Sequence, residues 1–204
     1  MNKRHREVVI GENDTIFGRK LGENVLLMEI RHKLTTPRLL QGNMTPDTTL
    51  EVGEKAPTFS VEDSSGMIHD SEEYCRQEKT IILYFYPKDN TPGCTIQACD
   101  FRDSLKRLES ANIIVLGVSK DSAKSHDKFI DKYNLNFPLI LDEDLSLHKA
   151  FGTWRLKKNY GKEYMGCARS TFVINSKGII QHALYNVKAT GHVDRVLNLL
   201  NQSE

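Results

Sequence analysis

One stretch constrains this chain more than any other: Ile81-Ile82-Leu83-Tyr84-Phe85-Tyr86-Pro87. It is apolar, aromatic and β-branched without alternation, and a proline closes it. Such a run reads as a strand buried on both faces, at the centre of an α/β sheet. Lys88-Asp89-Asn90 follow, then Thr91-Pro92-Gly93-Cys94. Thr91 is placed to cap a helix and Pro92 is preset for its first position. Cys94 therefore falls in the first helical turn, just past the carboxyl end of a buried strand. Open α/β sheets bind their ligands in that crevice.

A helix N-terminus favours a thiolate, the reactive form of cysteine. It contributes only ~0.3–1 kcal/mol, under about one pKa unit. Bringing a thiol from ~8.5 to about 6 takes roughly 3.4 kcal/mol, so a cation or further donors must assist. Full ionisation gains only about thirtyfold at pH 7, because a free thiol is already ~3% thiolate. Fast chemistry at such a site also needs groups that stabilise the transition state. Cys99 lies five residues on. Five residues along an α-helix separate two Cα atoms by roughly 8.6 Å, beyond the ~7 Å reach of a disulfide. The two sulfurs can join only if the helix unwinds.

Phe85-Tyr86-Pro87-Lys88-Asp89-Asn90-Thr91-Pro92-Gly93-Cys94-Thr95 closely resembles the active-site signature of peroxiredoxins, with its Pro-x-x-x-Thr-x-x-Cys core. Cys99-Asp100-Phe101-Arg102-Asp103 resembles the peroxiredoxin Q, or bacterioferritin comigratory protein, branch. The likeness runs from about Met44 to the C-terminus. It implies an α/β, thioredoxin-like fold with a mixed central sheet. It also implies a thiol peroxidase acting on hydrogen peroxide and organic hydroperoxides, with no cofactor or metal. Cys94 would be the peroxide-reacting cysteine and Cys99 the resolving one. The Thr91 hydroxyl would sit beside the peroxide, Pro87 would shield the thiolate, and Arg169 would supply the missing cation and hold the peroxide oxygens. The implied reductant is thioredoxin or a similar dithiol, and the implied state is a monomer. Two rivals stand beside this reading. A thiol–disulfide oxidoreductase shares the fold but usually carries Cys-x-x-Cys at the helix start. A non-enzymatic holdase or partner-binding protein would leave the cysteines without a chemical role.

Of the other cysteines, Cys75 reads as a small buried or half-buried residue. Cys167 shares an extended face with Arg169 and approaches the site, but reads first as a small wall residue. The histidines lack metal-ligand spacing, and His126, His148, His182 and His192 read as surface or helix-end residues. Trp154, Tyr160 and Tyr164 read as packing or rim residues.

The formal net charge of +1 implies neither nucleic acid nor a membrane surface as a partner. No apolar run approaches the ~20 residues of a transmembrane helix. Four unevenly spaced cysteines and the absence of a secretory start favour a reducing cytoplasm. Residues 1–43 read as a weakly structured N-terminal extension outside the resemblance, ahead of a domain at 44–204. Glu7, Glu12, Asp14, Glu23 and Glu29 argue against a transit peptide. Met44-Thr45-Pro46 would also serve as the start of a family member, which would make the upstream residues an over-extended reading frame.

Periodicity gives the remaining elements. A hairpin covers Thr58–Glu62 and Met67–His69, and a short helix opens at Ser71. The strand at Thr80–Pro87 leads into a helix from Thr91 to about Ser110. Ile113–Val118 is a second buried strand, followed by a helix capped by Asp121 or Ser122. A short strand at Pro138–Leu141 precedes a helix over Leu145–Phe151. A second hairpin spans Ser170–Asn175 and Gly178–Val187, and a last helix runs from about His192 to Asn201.

Overall fold

A computed structural model describes residues 49–159 and 161–202; the expectations for residues 1–43 and Tyr160 lie outside them. The order is β1 (Ser60–Glu62), β2 (Ile68–Asp70), α1 (Ser71–Arg76), β3 (Thr80–Phe85), α2 (Pro92–Ser110), β4 (Ile113–Ser119) and α3 (Ala123–Tyr133). Then come β5 (Leu139–Leu141), α4 (Ser146–Ala150), β6 (Trp154–Asn159), β7 (Lys162–Cys167), β8 (Ser170–Ile174), β9 (Ile180–Leu184) and α5 (His192–Asn201).

The main sheet runs β5-β4-β3-β8-β9. β4 pairs parallel with β3 and with β5, whereas β8 pairs antiparallel with β3 and with β9. β3 is central, and its unbroken apolar sequence has the reason expected of it. Ile82, Tyr84 and Tyr86 enter a core with Phe101 and Leu105 of α2, Phe129 of α3 and Val193 and Val196 of α5. Ile81, Leu83 and Phe85 enter the opposite core with Phe59, Leu147, Phe151 and Phe172. Successive side chains alternate between faces, so a strand covered on both faces has no position left for a polar residue. Gly117 in β4 is required by close approach: a Cβ there would sit 2.8 Å from the Tyr84 ring and from Leu139.

Three expectations need correction. First, the β6–β7 hairpin, turning at Gly161 (φ +77°), was not anticipated. Its strands read Trp-Arg-Leu-Lys-Lys-Asn and Lys-Glu-Tyr-Met-Gly-Cys, too polar for a core pattern, and Leu156 and Met165 are left exposed. Second, of the histidines read as surface or helix-end residues, His126, His148 and His192 are wholly buried, although His192 does stand at a helix end, as the first residue of α5. Each has a polar partner: Asp89 and Thr171, far off in sequence, for His126 and His192, and Asp142, six residues upstream, for His148. Third, Thr91 occupies the N-cap position of α2, but its side chain makes no capping bond. The hydroxyl donates instead to the Lys88 carbonyl at 3.1 Å.

Candidate active site

Cys94 is the third residue of α2 and is 1% exposed. Its sulfur faces a cation: Arg169 Nη2 donates to Cys94 Sγ at 3.2 Å. The arginine lies in the two-residue link between β7 and β8. Its backbone is tied down because Val187 N–H donates to the Arg169 carbonyl at 3.0 Å. The guanidinium is held at a second point, where Nη1 donates to Gln97 Oε1 at 2.6 Å. Gly93 lies alongside, where a Cβ would make ordinary contact with Arg169 Nη2 at 3.4 Å and Ala189 at 3.5 Å. A helix end, a guanidinium donor and exclusion from water thus converge on one sulfur. This arrangement sets a helix start and a guanidinium donor on the sulfur and leaves a planar fork beside it for an incoming oxygen pair.

Sequence reasoning missed Gln97. It is fully buried, and its amide Nε2 has no hydrogen-bond partner. The available signal was spacing: on a helix, position i+3 shares a face with Cys94. Replacing Gln97 with leucine should separate stability from rate. Loss of an unpartnered buried amide costs little, and an apolar side chain can be neutral there. The Arg169 fork, however, loses one of its two anchors, a bond to a charged group worth ~1.5–3 kcal/mol. We expect Gln97→Leu to slow the reaction of Cys94 with peroxide by about tenfold or more with a near-parental melting temperature. Stopped-flow competition kinetics and a thermal melt check this, and a parental rate would remove Gln97 from the site.

The structure places the other cysteines differently. Cys99 is half-buried on the same unbroken helix as Cys94, and both are free thiols. Cys75 is half-buried in α1. Cys167, opposite Trp154 in the β6–β7 ladder, is 4% exposed, and burial pushes its thiol up to about 12. That keeps it neutral at physiological pH and a poor nucleophile. Pro87 is half-buried just past the end of β3. Trp154 packs edge-on against His148 at 5.9 Å, and Tyr164 is exposed.

Two more buried groups border the site. Tyr84 is pushed well above its ordinary pKa by burial and, secondarily, by Cys94. His192 is held down to about 4, by burial first and then by the Arg195 and Arg169 cations. Its Nε2 lies 2.8 Å from the hydroxyl of Thr171, two residues beyond Arg169. Three clefts among the described residues, of about 330, 340 and 680 Å³, do not include Cys94 in their lining.

A mixed sheet flanked by helices, with a cysteine at a helix start and an arginine on its sulfur, defines a class of thiol enzyme. The chain belongs to the AhpC/TSA family, whose model matches residues 52–183. It is 45% identical over 152 residues to peroxiredoxin Bcp of Bacillus subtilis, covering 74% of this chain and 96% of that protein. A cysteine-to-serine mutant of Xylella fastidiosa PrxQ superposes with a TM-score of 0.72 at 36% identity, over 76% of this chain and 98% of that one. The bacterioferritin comigratory protein of Xanthomonas campestris, studied for its alkyl peroxide reduction activity, superposes with a TM-score of 0.67 at 37% identity, over 72% and 92%. The chain is thus a peroxiredoxin, of a peroxidase family, with the thioredoxin-like fold of its structural neighbours. No helix of the described residues is long and apolar enough to cross a membrane.

Proposed function

We propose that the protein reduces hydrogen peroxide and small organic hydroperoxides through Cys94, with Cys99 as the resolving thiol. The observation that carries this is the Arg169 guanidinium on the Cys94 sulfur at a helix start. The Cys94 thiolate attacks the terminal oxygen of ROOH, and the O–O bond breaks. Two electrons leave sulfur, oxygen is transferred to give the sulfenate, and the hydroperoxide proton leaves with the alkoxide as ROH. The Thr91 hydroxyl orients the peroxide and Pro87 limits water at the sulfur. The first turns of α2 then unwind, and the Cys99 sulfur attacks the sulfenic acid of Cys94. A disulfide forms as water departs. An external dithiol, thioredoxin or a similar protein, restores both thiols by exchange. On this reading the chain works as a monomer in a reducing cytoplasm.

The unwinding step rests on two observations: α2 is continuous from Pro92 to Ser110, and both cysteines lie on it. Helical Cα positions roughly 8.6 Å apart cannot be bridged in place. Cys99→Ser should therefore consume about one equivalent of peroxide and stop, with Cys94 left as a sulfenate prone to over-oxidation. Peptide mapping of the parent after one equivalent should find Cys94 joined to Cys99, with faster amide exchange over residues 91–100 than in the reduced protein. A Cys94–Cys167 bond would transfer the resolving role, and unchanged exchange would remove the unwinding step.

A further inference from the structure

Asp89 belongs to the surface loop between β3 and α2, yet it is 5% exposed. Its carboxylate is the centre of a cluster drawn from three elements. Tyr86 Oη donates to Oδ1 at 2.8 Å, and Ser125 Oγ of α3 donates to Oδ2 at 2.7 Å. His126 Nδ1, also of α3, lies 2.9 Å from Oδ2; a carboxylate only accepts, so this nitrogen carries the proton. His126 is wholly buried, and its Nε2 faces the Ile140 carbonyl of β5 at 3.3 Å. The Asp89 N–H donates to Asp121 Oδ2 at 2.9 Å, and the Ser119 hydroxyl holds that same oxygen. Burial alone would raise the Asp89 carboxyl, but the bonds from His126, Ser125 and Tyr86 outweigh it and hold it below the ordinary carboxylate value.

On the far side of this cluster the chain turns outward. Asn90 is exposed and takes a left-handed φ of +57°, uncommon for a residue other than glycine. Pro92 is exposed, and the Thr91 side chain bonds only back into its own loop, to Lys88.

We propose that Asp89, clamped by His126, Ser125 and Tyr86, is a positioning residue for the peroxide reaction. It fixes the root of the first turn of α2, so that Cys94 Sγ stays on Arg169, and the chain pivots at Asn90 when that turn unwinds. The proposal rests on the reading of Cys94 as the peroxide-reacting thiol. Misplacement of reacting groups by about 1 Å can cost up to ~10²-fold in rate, so a displaced root is enough to matter.

The test uses the full reduced chain, hydrogen peroxide as oxidant and iodoacetamide as a second probe, with each cysteine followed by mass spectrometry. Asp89→Asn should lower the peroxide rate constant of Cys94 by about tenfold or more. It should raise Cys94 alkylation several-fold, because opening a residue that is only 1% exposed outweighs the few-fold loss expected when the sulfur leaves Arg169. Alkylation of Cys75, in α1 packed under the other face of the sheet, should not change. Tyr86→Phe, which deletes one hydroxyl of the cluster, should move both readouts the same way by less, and it decides the matter if Asp89→Asn does not fold. Parental peroxide and alkylation rates at Cys94 in a folded variant overturn the proposal. So does an equal rise at Cys94 and Cys75, which marks general loosening rather than a displaced turn. If parental Cys94 stays reduced in peroxide, the reading beneath the proposal has failed instead, and the parent alone shows it.

Discussion

Cys94→Ser is expected to cut peroxide consumption by at least about 10³-fold, leaving no more than the background of ordinary thiols. An alcohol accepts no oxygen from a hydroperoxide, so any residual activity must come from Cys75, Cys99 or Cys167. Cys167, with its thiol pushed up to about 12, is thiolate in only roughly one molecule in 10⁵ at pH 7. Among the described residues the Arg169 guanidinium donates to Cys94 Sγ and not to Cys99 or Cys75. Removal of one preorganised donor from a charged transition state costs ~10²–10³ in other enzymes, which sets the scale expected when thiol and donor are separated. Cys75→Ser should stay near parental activity, because α1 lies against the core on the opposite face of the sheet from α2. Horseradish-peroxidase competition on the two variants side by side checks both statements. Appreciable turnover by Cys94→Ser would defeat the assignment.

How much of this was legible in the sequence depended on how local the cause was. The β3 run could be read because burial on both faces acts on every residue of one strand, and Ile81 through Tyr86 divide between the two cores accordingly. The start of α2 was legible because Pro92 carries its own backbone preference. The Thr91 capping bond was not realised: its hydroxyl found the Lys88 carbonyl, an equally local acceptor that the pattern could not rank. Long-range pairings left no local trace. His126 meets Asp89 from 37 residues away, and Arg169 meets Cys94 from 75. Arg169 entered only through the family resemblance, although the arithmetic of a helix end, at most about one pKa unit, had already shown that a cation or further donors were required. The β6–β7 hairpin stayed hidden because, apart from Trp154 and Cys167 at its base, its apolar side chains are few and exposed, and its register is fixed by backbone pairing from Trp154–Cys167 to Asn159–Lys162.

Arg169→Lys should distinguish charge from geometry at the Cys94 sulfur. In the parent, one guanidinium nitrogen donates to Cys94 Sγ while another is held by Gln97 Oε1, so the plane of the fork is fixed at two points. Lysine keeps the positive charge but offers a compact ammonium on a flexible stem, without the paired donors. Charge acts chiefly through the thiolate fraction, and that channel has a ceiling of about thirtyfold at pH 7. Orientation and transition-state donation have no such ceiling; one lost donor is worth ~10²–10³. We therefore expect Arg169→Lys to slow peroxide reduction by about 10²-fold. Alkylation of Cys94 by iodoacetamide, which needs the thiolate but not the fork, should fall only a few-fold. Arg169→Met, which loses charge and fork together, should depress both rates, and peroxide reduction by more than Arg169→Lys does. Stopped-flow oxidation and timed alkylation of the same three proteins supply the comparison. If lysine reproduces the arginine rate, charge alone suffices and the two-point hold through Gln97 has no part in the chemistry. If peroxide reduction and alkylation fall in step in the lysine variant, the fork contributes nothing beyond ionisation.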